Sequence, residues 1–328
     1  MVTFSDIHQA YQRIQHLIVK TPLLTSDRLN NKLGFRLFVK AEPLQRTGAF
    51  KFRGACNAIL SLEDPNQSVI AFSSGNHAQA VAFVARLSGR KATIIMPEDA
   101  PQAKITATRE YGAEVVLYNR YSESREEIGQ EIANRQNGAL IKPYDHEAVI
   151  AGQGTIGIEL TDQIEAQGLS PQAVYCCAGG GGLISGLAVS LHHSHPDLPI
   201  YAAEPDKFDD IRRSLEAGTI VSNDPEARSL CDAIVTPCPG EITFPIMKSH
   251  LAGGVAVTDE DALRAMQTCW RYLKLVVEPG GAVAVAAALK QAKEGDTTLA
   301  GSDVIAVASG GNVDDVIYQN ALTMEGAF

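Results

Sequence analysis

The sequence predicts an α/β protein with two open twisted sheets flanked by helices. Along the 328 residues, short apolar runs alternate with stretches of helical periodicity, the pattern of parallel sheets covered by helices on both faces. The runs between Val69 and Leu117 form a compact group of their own, and the remaining runs lie on either side of them in sequence. Two sheets follow. With 45% apolar and 20% charged residues, the chain can bury one large core or two moderate ones and lacks the signature of disorder.

Taken in order, Leu37-Phe38-Val39-Lys40 is a strand-like run, followed by Val69-Ile70-Ala71-Phe72, Ala92-Thr93-Ile94-Ile95-Met96 and Glu114-Val115-Val116-Leu117. Helical periodicity occupies His77 to Leu87, Pro101 to Tyr111 and Ser122 to Arg135. The second half supplies the strands Ala173-Val174-Tyr175-Cys176, Ile200-Tyr201-Ala202-Ala203 and Val304-Ile305-Ala306-Val307, with helices at Ile184 to His192 and Asp259 to Leu275. This arrangement places a small domain at residues 55–144, inserted into a larger one made from residues 1–54 and 145–328. No internal repeat or low-complexity linker interrupts it.

Composition excludes several classes of function. The net charge is −10, and no run of lysine or arginine could neutralise a phosphate backbone, so a nucleic-acid partner is not expected. No apolar run approaches the roughly 20 residues of a membrane helix, and the opening Met1-Val2-Thr3-Phe4-Ser5-Asp6 has neither a basic region nor an export segment. A cytoplasmic address is the expectation. The six cysteines show no CxxC spacing, so no disulfide framework is expected, and His192-His193-Ser194-His195 reads as a solvated helix end rather than a metal site.

Chemistry concentrates at strand ends, where such sheets hold ligands. In Thr47-Gly48-Ala49-Phe50-Lys51-Phe52-Arg53-Gly54-Ala55, one lysine follows small residues and an aromatic in a turn leading into a helix, a placement suited to forming an imine with an aldehyde cofactor. The strand ending at Phe72 delivers Ser73-Ser74-Gly75-Asn76-His77 to a helix start, where amides and hydroxyls could grip a carboxylate. A simple N-cap would need only one of those polar residues. The strand ending at Cys177 delivers Gly179, Gly180, Gly181 and Gly182 to another helix, a backbone cradle for a phosphate. Its spacing is neither GxGxxG nor a Walker loop. The last strand delivers Ser309-Gly310-Gly311-Asn312 to the same edge. Together these parts describe a pyridoxal phosphate enzyme. Ser309 facing the pyridine nitrogen could not keep it protonated as a carboxylate would, which favours β-elimination over transamination.

From about Val19 to Asn312 the chain resembles the fold type II pyridoxal phosphate enzymes, and within them the threonine/serine dehydratases and serine racemases. The resemblance is carried by Lys40 through Lys51, Ser73 through His77, Ala151-Gly152-Gln153-Gly154-Thr155, the glycines from Gly179, Val277-Glu278-Pro279-Gly280-Gly281-Ala282, and Ser309 through Asn312. It implies that Lys51 bonds the cofactor, Phe50 packs on its ring, Asn76 bonds its 3-hydroxyl, Glu278 contributes to the cofactor site, and Ser309 faces the ring nitrogen. It also implies that Ser73, Ser74, Asn76 and His77 form the substrate carboxylate loop, that Ser74 sits across the ring from Lys51, and that the protein is a homodimer.

The implied activity is conversion of a β-hydroxy L-amino acid, serine or threonine, to a 2-oxo acid and ammonia; 3-hydroxyaspartate dehydration and serine racemization are the alternatives. Arg125 resembles an arginine that racemases and hydroxyaspartate dehydratases bring over the active site, where it could hold a second carboxylate. Read as an ordinary helix arginine it gains nothing from pairing, since Glu123, Glu126 and Glu127 stand at spacings that do not face it. Tyr144-Asp145 is more like the dehydratases than the mammalian-type racemases, which have asparagine in place of Tyr144. Glu204, the Phe208 carbonyl and Asp210 could supply hard oxygens to magnesium or calcium, or could simply form an acidic helix start. The resemblance implies the cation site. The chain stops at Phe328, so control through the regulatory domain of some biosynthetic threonine dehydratases is not expected.

Overall fold

The computed structural model describes residues 1–73, 75–100, 102–119, 121–293 and 299–325. In chain order the elements are α1 (Phe4–Ile14), β1 (Leu23–Leu24), α2 (Asp27–Leu33), β2 (Arg36–Ala41), α3 (Lys51–Leu60), β3 (Val69–Phe72), α4 (Asn76–Leu87), β4 (Ala92–Pro97), α5 (Gln102–Glu110), β5 (Glu114–Tyr118), α6 (Arg125–Gln136) and β6 (Ala139–Leu140). There follow α7 (Glu147–Gln167), β7 (Pro171–Cys177), α8 (Gly182–Ser194), β8 (Ile200–Pro205), α9 (Asp210–Ala217), α10 (Thr243–His250), β9 (Gly253–Val257), α11 (Asp259–Thr268), α12 (Pro279–Lys293), β10 (Asp303–Ala308) and α13 (Asp315–Thr323).

The strands form two sheets, one ordered β1-β2-β10-β7-β8-β9 and the other β5-β4-β3-β6. In the larger sheet β10 lies between β2 and β7 and is parallel to both. Every residue from Asp303 to Ala308 is buried, which is why the run is continuously apolar from Val304 rather than alternating. Among the named strands of the described residues, β1 alone departs from parallel pairing, running antiparallel to β2 through Leu23↔Lys40. The predicted helix from Asp259 to Leu275 ends earlier as an α-helix: after Thr268 it passes into a π turn over Cys269–Leu273, and Lys274 stops it with φ 57°.

Three helices meet behind the sheet edge because glycines let them approach. A Cβ at Gly152 of α7 would stand 2.6 Å from the Arg53 carbonyl of α3, and one at Gly154 would stand 2.8 Å from the Gly186 carbonyl of α8. Between these helices and β2 sits a fully buried ion network. Arg53 donates to both oxygens of Glu42 (2.8 and 2.8 Å) and of Glu159 (2.7 and 2.9 Å), and Lys40 donates to Glu159 at 2.6 Å. Removed from water, such charges hold only because each is paired. The network fixes α3, and with it Lys51, against β2 and α7.

Candidate active site

The carboxyl ends of β7 and β10 open on the same edge, and the turn before α3 is stitched to it. Phe50 N donates to the Ser309 carbonyl at 3.0 Å, Gly311 N donates to the Gly48 carbonyl at 2.9 Å, and Ala49 bridges Gly310. Thr47 takes φ 58° to make that turn. The result places Lys51 at the first position of α3, lining a cavity of about 180 Å³ together with Asn76, Arg125, Gly180, Glu278 and Ser309.

Lys51 Nζ donates to the Pro143 carbonyl at 2.7 Å and stands 5.1 Å from the centroid of the Phe50 ring. Burial, opposed weakly by Cys177, brings its ammonium down to about 8. Asn76, at the start of α4, donates to Glu278 Oε1 at 2.6 Å and accepts from Asn312 Nδ2 at 2.8 Å. Burial pushes the Glu278 carboxyl up to about 8, against the pull of Asn76. His77 Nε2 lies 2.8 Å from the Ile141 carbonyl, which requires the proton on that nitrogen, and Nδ1 is buried without a partner. Burial, then the Lys51 charge, holds His77 down at about 3, so the ring is neutral. Ser73 Oγ accepts from Gly75 N at 3.2 Å; Ser74 lies outside the described residues.

Gly179 to Gly182, at the head of α8, line the same cavity as Lys51. A Cβ at Gly180 would overlap the Tyr144 ring, and one at Gly179 would stand 2.8 Å from the Ile234 carbonyl, so only glycine leaves this cradle open. The first amides of α8 have no carbonyl behind them and carry the positive end of its dipole. An anion is suited to that place.

Arg125 begins α6, and its guanidinium lies 5.2 Å from the Phe72 ring centroid on the cavity wall. The expectation that no acid faces it is corrected: Nε donates to Glu126 Oε1 at 2.8 Å. Adjacent residues at a helix start can meet through a long side chain even though their Cβ atoms diverge. A further ion pair at the mouth went unrecognised in the sequence: Lys104 of α5 pairs at 2.9 Å with Asp232, and both line the cavity. Pro143 was missed because its role is a backbone carbonyl, 92 residues from Lys51 along the chain.

Away from the cavity, Glu204 at the end of β8 accepts from the amides of Ile211 (2.9 Å) and Arg212 (2.8 Å). Asp210 Oδ1 accepts from Asn223 at 2.5 Å, while Oδ2 is buried without a partner. Burial, then the Asp210 charge, raises Glu204 well above the carboxylate range; burial brings Asp210 to about 6. Phe208 sits in the turn between them, its amide on the Pro205 carbonyl at 2.9 Å. Asp209 pairs instead with Arg212 and Arg213. Among the described residues no three His, Cys, Asp or Glu side chains are arranged to hold a metal. The end of α8 is packed more than expected: His192 Nδ1 lies 3.0 Å from His250 Nδ1, and His193 stacks on Phe4. The six cysteines are free thiols.

The model of the pyridoxal-phosphate dependent enzyme family matches residues 14–310. An L-threo-3-hydroxyaspartate ammonia-lyase of Saccharomyces cerevisiae is 43% identical over 324 residues, covering 98% of this chain and 96% of its own. A serine racemase of Schizosaccharomyces pombe is 39% identical, covering 98% and 97%. Among solved structures, a threonine deaminase from T.th. superposes with a TM-score of 0.90 at 41% identity, covering 95% of this chain and 99% of that one.

Proposed function

The chain belongs to the pyridoxal-phosphate dependent enzymes, and from that membership we propose that it is an ammonia-lyase for L-threo-3-hydroxyaspartate, yielding oxaloacetate and ammonia. The observation that carries the substrate is Arg125, a guanidinium on the wall of the cavity that holds Lys51. Serine and threonine have no second carboxylate for it to bind.

The residues fit the cofactor. A glycine cradle, where a Cβ at Gly179 or Gly180 would run into Ile234 or Tyr144, shares one cavity with the Lys51 amine and the buried Ser309 hydroxyl. The amides heading α8 would hold the phosphate, Lys51 the aldehyde carbon, Phe50 a ring face, Asn76 with Glu278 behind it the 3-hydroxyl, and Ser309 the ring nitrogen. When bound, the cofactor supplies an electron sink for the substrate α-carbon. The loop from Ser73 into the head of α4, with Asn76 and His77, would receive the α-carboxylate at the positive end of the helix dipole. Lys51, with its pKa already lowered towards neutrality, takes the α-proton onto Nζ. The β-hydroxyl would leave as water, balancing the α-proton taken up, and return of Lys51 Nζ to the aldehyde carbon would free an enamine, which tautomerises to an imine and is hydrolysed by water to the 2-oxo acid and ammonia.

Replacing Arg125 with alanine tests this. The expected result is a fall of about 100-fold in kcat/KM for hydroxyaspartate with that for serine unchanged, the loss of one charge-assisted pair to the second carboxylate. Equal effects on both substrates would remove the assignment. Serine racemization is the second reading, supported by the racemase relatives; there Ser74→Ala would abolish racemization and spare elimination.

We also assign Glu204, the Phe208 carbonyl and Asp210 to a magnesium or calcium ion. The orphaned Asp210 Oδ2 and two carboxylates raised by burial support it, since a cation would relieve both. The unit spanning residues 55–144 is taken as the part that closes over substrate; it carries Arg125 and the Lys104 that reaches Asp232. A homodimer in the cytoplasm completes the proposal, with exposed Trp270, whose ring meets Tyr318, as apolar surface for a partner copy.

A further inference from the structure

A glycine run can present amides to an anion only if its peptides are turned the right way. Gly180 and Gly181 share one planar trans peptide, so the Gly180 carbonyl and the Gly181 N–H point in opposite directions. The Gly180 carbonyl is drawn out of the cavity: it accepts from Thr243 Oγ1 at 2.6 Å and from Gly240 N at 3.2 Å. Thr243 is fully buried at the first position of α10. A second contact, Ser185 Oγ to the Thr243 carbonyl at 3.3 Å, ties α10 to α8. Gly181 has φ 90°, and a Cβ there would stand 2.6 Å from Met247 Cε and 2.9 Å from Thr243 Oγ1. The back of the loop is therefore packed against α10, and its front faces the cavity.

We propose that Thr243 is a positioning residue for the phosphate loop, its hydroxyl holding the Gly180 carbonyl back so that the Gly181 N–H faces a bound phosphate. This rests on the glycine loop being the phosphate site of pyridoxal phosphate. The hydroxyl matters because two adjacent glycines resist a peptide flip poorly; either orientation is sterically open to them. Valine keeps the shape of threonine and loses the donor, leaving the Gly180 carbonyl with the longer Gly240 contact alone. A flipped peptide would turn a carbonyl oxygen towards the phosphate.

The test compares dissociation constants of the cofactor-free protein for pyridoxal phosphate and for pyridoxal, by absorbance titration, in wild type, Thr243→Val and Thr243→Ser. Thr243→Val should weaken pyridoxal phosphate about tenfold, which is one hydrogen bond's worth, and leave pyridoxal unchanged. Thr243→Ser should restore the wild-type constant to within about twofold, because the donor returns. If Thr243→Val does not fold, Thr243→Cys, a weak donor of similar size, should show the same phosphate-selective loss in part. Equal weakening of both ligands, or no weakening, overturns the proposal while a wild type selective for the phosphorylated ligand keeps the loop assignment. A wild type indifferent to the phosphate overturns both.

Discussion

At the scale of residues, the cavity is defined by groups whose protonation has been shifted by burial. Lys51 is the clearest, an amine lowered to about 8 and held on the Pro143 carbonyl. Only the free amine can attack an aldehyde, so loading of the cofactor onto the apo-protein should accelerate as pH rises through about 8, as stopped-flow absorbance would record. A midpoint near 10.5, the ordinary value for lysine, would mean that the amine is solvated. Lys51→Ala should lose both the visible absorption of the loaded protein and turnover; steady activity in that variant would remove the lysine from the chemistry. Asp210 gives a second test at this scale. Magnesium or calcium should raise the melting temperature of wild type and leave that of Asp210→Ala unmoved, and a shift of equal size in both would place the cation elsewhere.

Elements hold these residues in place through contacts between distant parts of the chain. The N-terminal turn of α3 is pinned on one side to the loop after β10 and on the other by Arg53 to Glu42 and Glu159. Removing one partner from a buried network leaves an uncompensated charge. Glu159→Gln should therefore cost about 3 kcal/mol or more in urea unfolding, against about 0.5 kcal/mol for a surface charge such as Asp162, whose pair with Lys20 is half exposed. Comparable losses at the two positions would mean that the network is hydrated. Much at this scale was legible in advance. Val69–Phe72 was bounded correctly because four consecutive buried apolar residues stand between polar turns, and the glycines after Cys177 announced a helix head. The two-residue strands β1 and β6 were not, since neither has a side-chain alternation to read. The strand β9 opens with two glycines, one of them at φ 156°, which conceal it for the same reason. Arg125's partner was misjudged because helical spacing describes Cβ positions, and a guanidinium reaches well past its own.

For the whole molecule, the two sheets bring Lys51 and the head of α4 to one cavity with the head of α8, which lies more than a hundred residues further along the chain. Strand order makes this possible: β10 and β7 are neighbours, so the loops carrying Ser309 and Gly179 emerge side by side. That convergence was readable from strand ends alone. The proposed substrate rests on Arg125, which the sequence singles out but whose place on the cavity wall only the folding of α6 against the rest supplies. No helix among the described residues is long and apolar enough to cross a membrane. The most direct test of the account is therefore made with the wild-type protein loaded with pyridoxal phosphate and supplied with magnesium: release of ammonia and 2-oxo acid from L-threo-3-hydroxyaspartate, L-serine and L-threonine. A second carboxylate bound by Arg125 predicts a kcat/KM for hydroxyaspartate on the order of 100-fold above that for serine. A protein that turns over serine or threonine as well as hydroxyaspartate, or better, would contradict it.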